Sequence, residues 1–166
     1  DFAAVFDNPG SMQASRSIYV SKPSASDQTV APEGCENLFI FIPVASNTSI
    51  GHGNAYRQEE SPIVRTIASA AVRQIAEWAN IPNLVDRVII RRTIGPQDFE
   101  ERYYSWQGGA LGPSHTLTQS AFFRGKNISR RVIGLLYVGG TIAPGVGVPM
   151  CLISAENILT RLGIKP

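Results

Sequence analysis

Four glycines near the end of the chain, Gly139, Gly140, Gly145 and Gly147, separate an apolar run at 133–138 from an amphipathic stretch that opens near Pro149. Glycine tolerates positive φ and lets another molecule approach the backbone closely. A helix starting near Pro149 aims its first N–H groups back at the turn. Those unpaired donors and the helix dipole together favour an anionic or electron-rich ligand. A phosphate-bearing cofactor, or a ring system that becomes anionic on reduction, suits such a place. The turn is not a Walker phosphate loop, because no Lys-Ser/Thr pair follows. Nor is it a GxGxxG fingerprint, because no acidic residue follows after about 20 positions. On the residues alone, a tight structural connection between strand and helix stays open as the alternative.

Other residues with chemical potential fare less well. His52 lies in a polar loop and reads as a solvated side chain, while His115 reads as a capping or structural residue rather than a proton carrier. Ser114, His115 and Asp98 offer the residue types of a hydrolase triad, but no G-x-S-x-G elbow accompanies them. Cys35 and Cys151 stand far apart, with no histidine at metal-ligand spacing, so no metal site is expected and both read as free thiols of a reducing compartment. Trp106, Phe122 and Phe123 read as core aromatics that could also line an apolar channel. Glu59 and Glu60 precede a helix and suit its dipole. The net charge of +2 and the scattered basic residues argue against a nucleic-acid partner.

The elements that must position the turn follow from periodicity and punctuation. Strands are expected at 2–6 (followed by a turn at 7–10), 17–21, 38–44, 86–92 and 133–138. The run at 38–44 is apolar on both faces, which asks for a covered sheet. Ala45 to Glu60 reads as a flexible polar loop. Ser61-Pro62 marks a helix start, and Val64, Ile67, Ala71, Ile75 and Trp78 recur on one face of a helix over 62–80, roughly five turns at about 3.6 residues each. Pro96 opens a short helix, and Cys151, Leu152, Ala155, Ile158, Leu159 and Leu162 mark the inner face of a closing one. No stretch of about 20 apolar residues appears. The opening Asp1-Phe2-Ala3-Ala4 reads as the middle of a longer chain.

The combination resembles the C-terminal region of phytoene desaturases, members of the amine-oxidase-like flavoprotein superfamily. That family carries approximately Y-V-G-G/A-x-T-x-P-G-x-G-x-P and then a helix with Ser-Ala. Here Tyr137-Val138-Gly139-Gly140, Pro144-Gly145-Val146-Gly147-Val148-Pro149 and Ser154-Ala155 stand in that order. Further similar pieces are Ser17-Ile18-Tyr19-Val20-Ser21, Ala31-Pro32-Glu33-Gly34, the 38–44 run, Pro96-Gln97-Asp98-Phe99 and Gln119-Ser120-Ala121-Phe122-Phe123-Arg124. Many relatives have Thr-His-Pro-Gly where this chain has Ile142-Ala143-Pro144-Gly145, so no role of that histidine carries over.

The resemblance implies an α+β arrangement. Residues 1–104 would form part of a mixed-sheet substrate domain, and 105–166 would supply a strand, turn and helix completing a Rossmann-like FAD domain. Gly139, Gly140, Thr141, Gly145, Val146, Gly147, Val148, Pro149 and Met150 would line the flavin. The parent enzyme would desaturate phytoene or a related isoprenoid, with FAD accepting the hydrogen, in the cytoplasm and peripherally at a membrane. The chain alone, lacking its N-terminal half and any GxGxxG unit, is expected to bind FAD poorly, to be inactive and to be prone to dimerise. No catalytic residue is assigned. The alternatives are a carotenoid isomerase, ketolase or amine oxidase of the same superfamily, and a non-catalytic domain that binds lipid or a protein partner.

Overall fold

The apolar spacing of 64, 67, 71 and 75 produces the longest element, helix α1 (Pro62–Trp78). In this computed structural model, which describes residues 16–56, 59–113, 118–119 and 123–164, the chain divides into two compact units, Asp1–Gly108 and Gly109–Pro166. The expected strand at 2–6 and its turn at 7–10 lie outside the described residues, as do Ser114, His115, Ser120, Ala121 and Phe122. The described chain is α+β, with three α-helices, several single 3-10 turns and a two-stranded antiparallel sheet.

In the first unit α1 buries Val64, Ala71, Ile75 and Ala76, beside which Ala45 and Ile50 are also buried. Trp78, expected on this face, is instead 63% exposed. The helix stops as a left-handed Asn80 (φ 54°) turns the chain and the Ile81 amide reaches back to Ala76 O (2.8 Å), a closure that satisfies orphan carbonyls. At the other end Ser61 does not cap α1; its Oγ accepts the His52 amide instead (3.0 Å).

The strands are shorter than their sequence signals. β1 (Tyr19–Ser21) pairs with β2 (Phe39–Phe41), placing Tyr19 opposite Phe41 and Ser21 opposite Phe39. The mixed, covered sheet expected around 38–44 is not found: β2 has one strand neighbour among the described residues, and Phe39 and Phe41 are exposed. Residues 86–92 open as a 3-10 turn (Val85–Arg87) and continue without a ladder among the described residues, and near their end the Asn54 side chain engages the backbone. Asn54 Nδ2 donates to Arg91 O (3.3 Å), and the Thr93 amide donates to Asn54 Oδ1 (3.0 Å).

The segment 45–60, expected to be a flexible loop, is instead a cross-linked hub where described. Asp98, at the start of helix α2 (Pro96–Tyr103), is 2% exposed and accepts the amides of Gly53 (2.7 Å) and Gly95 (2.8 Å). Glu60, 7% exposed, accepts bonds from Arg91 Nη2 (2.8 Å) and Thr93 Oγ1 (2.6 Å), and Arg65 Nε lies 3.4 Å away. Its part is therefore an ion-pair centre rather than service to a helix dipole. Burial pushes the Glu60 carboxyl up, but the bonds from Thr93, Arg91 and Arg65 outweigh that and hold it below its ordinary value.

A carboxyl held low when folded adds stability above its unfolded pKa and loses it as the pH falls through the folded value. Glu60→Gln is expected to reduce denaturant stability by about 1–3 kcal/mol at neutral pH. The gap from the parent chain should begin to close below pH 4.5, the ordinary value of the group. Urea unfolding followed across that range checks both the size and the sign.

Candidate functional site

The glycine turn belongs to the second unit. The run at 133–138 is not a strand there: Gly134 adopts φ 80°, and Leu136 makes a single antiparallel bridge with Ile128. A positive φ breaks the extended geometry that a ladder needs. What holds the segment is a side-chain clasp. Asn127 Nδ2 donates to Tyr137 O (3.1 Å), Ala143 O (3.2 Å) and Ser154 Oγ (2.9 Å), while its own carbonyl accepts the Tyr137 amide (2.8 Å). Ser154, fully buried on helix α3 (Val148–Arg161), also accepts the Gly139 amide (3.2 Å). The Ala143 amide donates to Gly125 O (2.9 Å). Both arms of the turn are thereby fastened to one face of α3.

Arg124 supports the turn from another side. It is 5% exposed, and its Nη2 donates to Gly140 O (2.8 Å) and, at 3.4 Å, to Leu111 O. A Cβ placed on Gly145 would stand 3.8 Å from the guanidinium Nη1.

Gly147 precedes α3 with φ 119°, and no side chain caps that end. Among the described residues, the amides of Gly147, Val148 and Met150 find no acceptor. Gly147, Val148 and Pro149 are exposed, and Val146 and Met150 are half-buried. Gly139 and Gly140 are half-buried, Thr141 is exposed and Gly145 is buried. These nine residues belong to one turn and the helix start that follows it. Their glycines have distinct reasons. Gly139 (φ 126°) needs its backbone angle but opens on space, since a Cβ there would meet nothing within 4 Å. Gly140 is a close approach, where a Cβ would come 3.3 Å from Val146 Cα and 3.6 Å from Cys151 Sγ. An exposed end of α3 with unspent amides, preceded by a glycine-rich turn, suits an anionic or electron-rich ligand such as a flavin edge.

The remaining candidates are placed elsewhere or used otherwise. Asp98 is spent on two backbone amides in the first unit, so it cannot serve as the acid of a triad, and Ser114 and His115 lie outside the described residues. His52 is half-buried rather than solvated, with Nδ1 3.2 Å from Gly53 O. Trp106 and Phe123 are 79% and 73% exposed, not core. Leu152 and Leu162, expected on the inner face of α3, are exposed, and Ser154 with Ile158 forms the buried pair. Cys35 and Cys151 are free thiols. Among the described residues there is no His, Cys, Asp or Glu group able to hold a metal, and no helix is long and apolar enough to cross a membrane. Asn127, Arg124 and Ser154 were not singled out as a clasp in the sequence. The available signal was Ser154, a polar residue four positions before Ile158 on a helix otherwise apolar on that side.

Comparison with known proteins identifies the lineage. The carotenoid 3,4-desaturase of Haloarcula japonica is 38% identical over 161 residues, which cover 97% of this chain and 30% of that protein. The chain is homologous to carotenoid desaturases. The 4,4'-diapophytoene desaturase (4,4'-diaponeurosporene-forming) of Staphylococcus aureus strain Newman is 29% identical over 147 residues, 89% of this chain and 29% of the relative. No protein-family model matches the chain. It spans about 30% of the length of the curated desaturases it matches.

For this desaturase homologue the clasp makes a direct prediction. Ser154→Ala leaves the Gly139 amide without its acceptor and removes one of the three acceptors around Asn127 Nδ2, and should cost about 1–3 kcal/mol. Hydrogen exchange at the Gly139 amide should accelerate more than exchange along α1 in the first unit. Uniform acceleration would argue against a local clasp.

Proposed function

We propose that the chain is the C-terminal part of an FAD-dependent carotenoid desaturase acting on phytoene or a related isoprenoid polyene. Two supports converge: homology to carotenoid desaturases over 97% of the chain, and an exposed, amide-bearing turn at the start of α3. FAD, when bound, accepts hydrogen from a saturated carbon–carbon bond, leaving a new conjugated double bond.

The residues of this chain orient the ring and stabilise charge. The Val148 and Met150 amides, with the dipole of α3, offset negative charge that develops at the ring edge. Gly139 leaves room along one side of the turn, the close approach at Gly140 brings the turn against Val146 and Cys151, and Thr141, Gly145, Val146, Gly147 and Pro149 complete its path to the helix. Asn127 and Ser154 hold the turn against α3, which would limit rearrangement of the site as charge appears. No residue here is assigned a proton-transfer role.

In this reading the dinucleotide part of the cofactor is held by the rest of the protein, in a Rossmann-like domain to which the turn and α3 contribute. The first unit contributes to the substrate side. The substrate is apolar, so the whole enzyme works at the cytoplasmic face of a membrane, and the isolated chain is inactive and self-associates through exposed apolar residues such as Ile89, Ile90 and Ile133.

The test is Gly147→Val in the full-length protein. Its φ of 119° strains any branched side chain and displaces the Val148 amide. Flavin retained on purification should fall about tenfold, with phytoene conversion falling in step. Unchanged flavin content and unchanged conversion would remove the turn from the cofactor site. For the 166-residue chain alone, purification with one flavin per chain would overturn the idea that the nucleotide part is held elsewhere.

A further inference from the structure

Charge in the second unit is lopsided. Residues 109–166 carry six Lys and Arg against one acidic residue, Glu156. Four of those cations, Arg124, Lys126, Arg130 and Arg161, line a single cleft of about 680 Å³, whose apolar wall includes Ile128 and Pro144 and whose described lining residues include no carboxylate. Three of the four are exposed long side chains, which taken alone would read as a solvated basic surface.

Arg124 is different. It is 5% exposed, makes no ion pair among the described residues, and its buried Nε has no hydrogen-bond partner. Two backbone carbonyls, Gly140 O and Leu111 O, share its Nη2. A buried guanidinium without a counter-charge is costly, and the natural remedy is an anion with several oxygens. Phosphate matches the fork geometry of a guanidinium and can accept from lysine beside it. The volume exceeds what a simple inorganic ion needs and accommodates an organic phosphate, with Ile128 and Pro144 against its apolar part.

We propose that this cleft binds the phosphate group of an organic ligand, at a place distinct from the amide end of α3. The same chemistry is presented by a soluble organic phosphate and by an anionic phospholipid headgroup. Both are tested on the full-length protein with Lys126→Ala, Arg130→Ala and Arg161→Ala combined. These three residues are exposed, so the fold should survive. Arg131→Ala, an exposed cation outside the cleft lining, is the control.

Inorganic pyrophosphate is titrated calorimetrically, and vesicles of phosphatidylcholine with and without phosphatidylglycerol are co-sedimented with the protein. The triple variant should bind at least one probe about tenfold or more weakly, while the control binds as the parent does. Loss confined to pyrophosphate identifies a soluble phosphate as the ligand. Loss of phosphatidylglycerol-dependent sedimentation, with pyrophosphate competing in the parent protein, identifies a headgroup. The proposal is overturned if neither probe binds the parent, if the triple variant binds both equally well, or if Arg131→Ala is as damaging as the triple change. Flavin absorbance of the same preparations reads the turn at α3 separately, so failure of the cleft and failure of the flavin assignment give different results.

Discussion

The second unit depends on a buried hydroxyl. Ser154 Oγ takes one bond from the backbone at Gly139 and one from the Asn127 amide, and Asn127 in turn holds Tyr137 and Ala143. A segment with several glycines has a large conformational entropy to lose, of order 1–2 kcal/mol per residue. Among the described residues it has no regular ladder to offset that loss, only isolated bridges at Ile142 and Leu136. Convergent side-chain bonds in a buried place, where each unmade bond would be expensive, are what give the turn one conformation. The clasp ties the turn to α3, the helix that carries the open amides at its start.

The first unit solves a similar problem with charge. Its loops carry polar backbone that no sheet satisfies, and two buried carboxylates take up the task. Asp98 ties the loop at Gly53 to the start of α2, while Glu60 gathers Arg65, Arg91 and Thr93. Close backbone contacts accompany these bonds: a Cβ on Gly53 would collide with Thr93 O, and one on Gly95 with Gly51 O. Glycine is needed at both positions because the chains pass too closely for any side chain. Polar cross-linking of this kind keeps the irregular segments ordered while leaving apolar residues such as Ile89 and Ile90 outside.

The two devices separate positioning from chemistry. Arg124, Asn127 and Ser154 work on the buried side of the turn, against carbonyls and one amide. The amides of Val148 and Met150 have no partner among the described residues. A cofactor that brings its own redox chemistry needs little more from this part of a protein than shape and fixed dipoles, which fits a site in which backbone predominates over side chains.

The sequence by itself determined the helices and the location of the turn. Apolar spacing and proline at a first helical position are local signals, and Pro62, Pro96 and Pro149 each stand in the first turn of the helix they announced. The glycine cluster likewise marks where the chain can take positive φ, and Gly139, Gly145 and Gly147 do so while Gly140 does not. Strands were another matter. The runs at 86–92 and 133–138 have strand composition, but a ladder requires a partner strand, which neither meets among the described residues, and Gly134 breaks the extended geometry of the second. The burial of Glu60, Asp98 and Arg124 was equally illegible, because a charged residue enters the interior only where distant segments bring donors or acceptors to meet it. Those encounters, across 45 residues for Gly53 and Asp98 and 27 for Asn127 and Ser154, were decided by the tertiary structure. Hydrogen bonding between remote segments leaves no periodic trace in either of them.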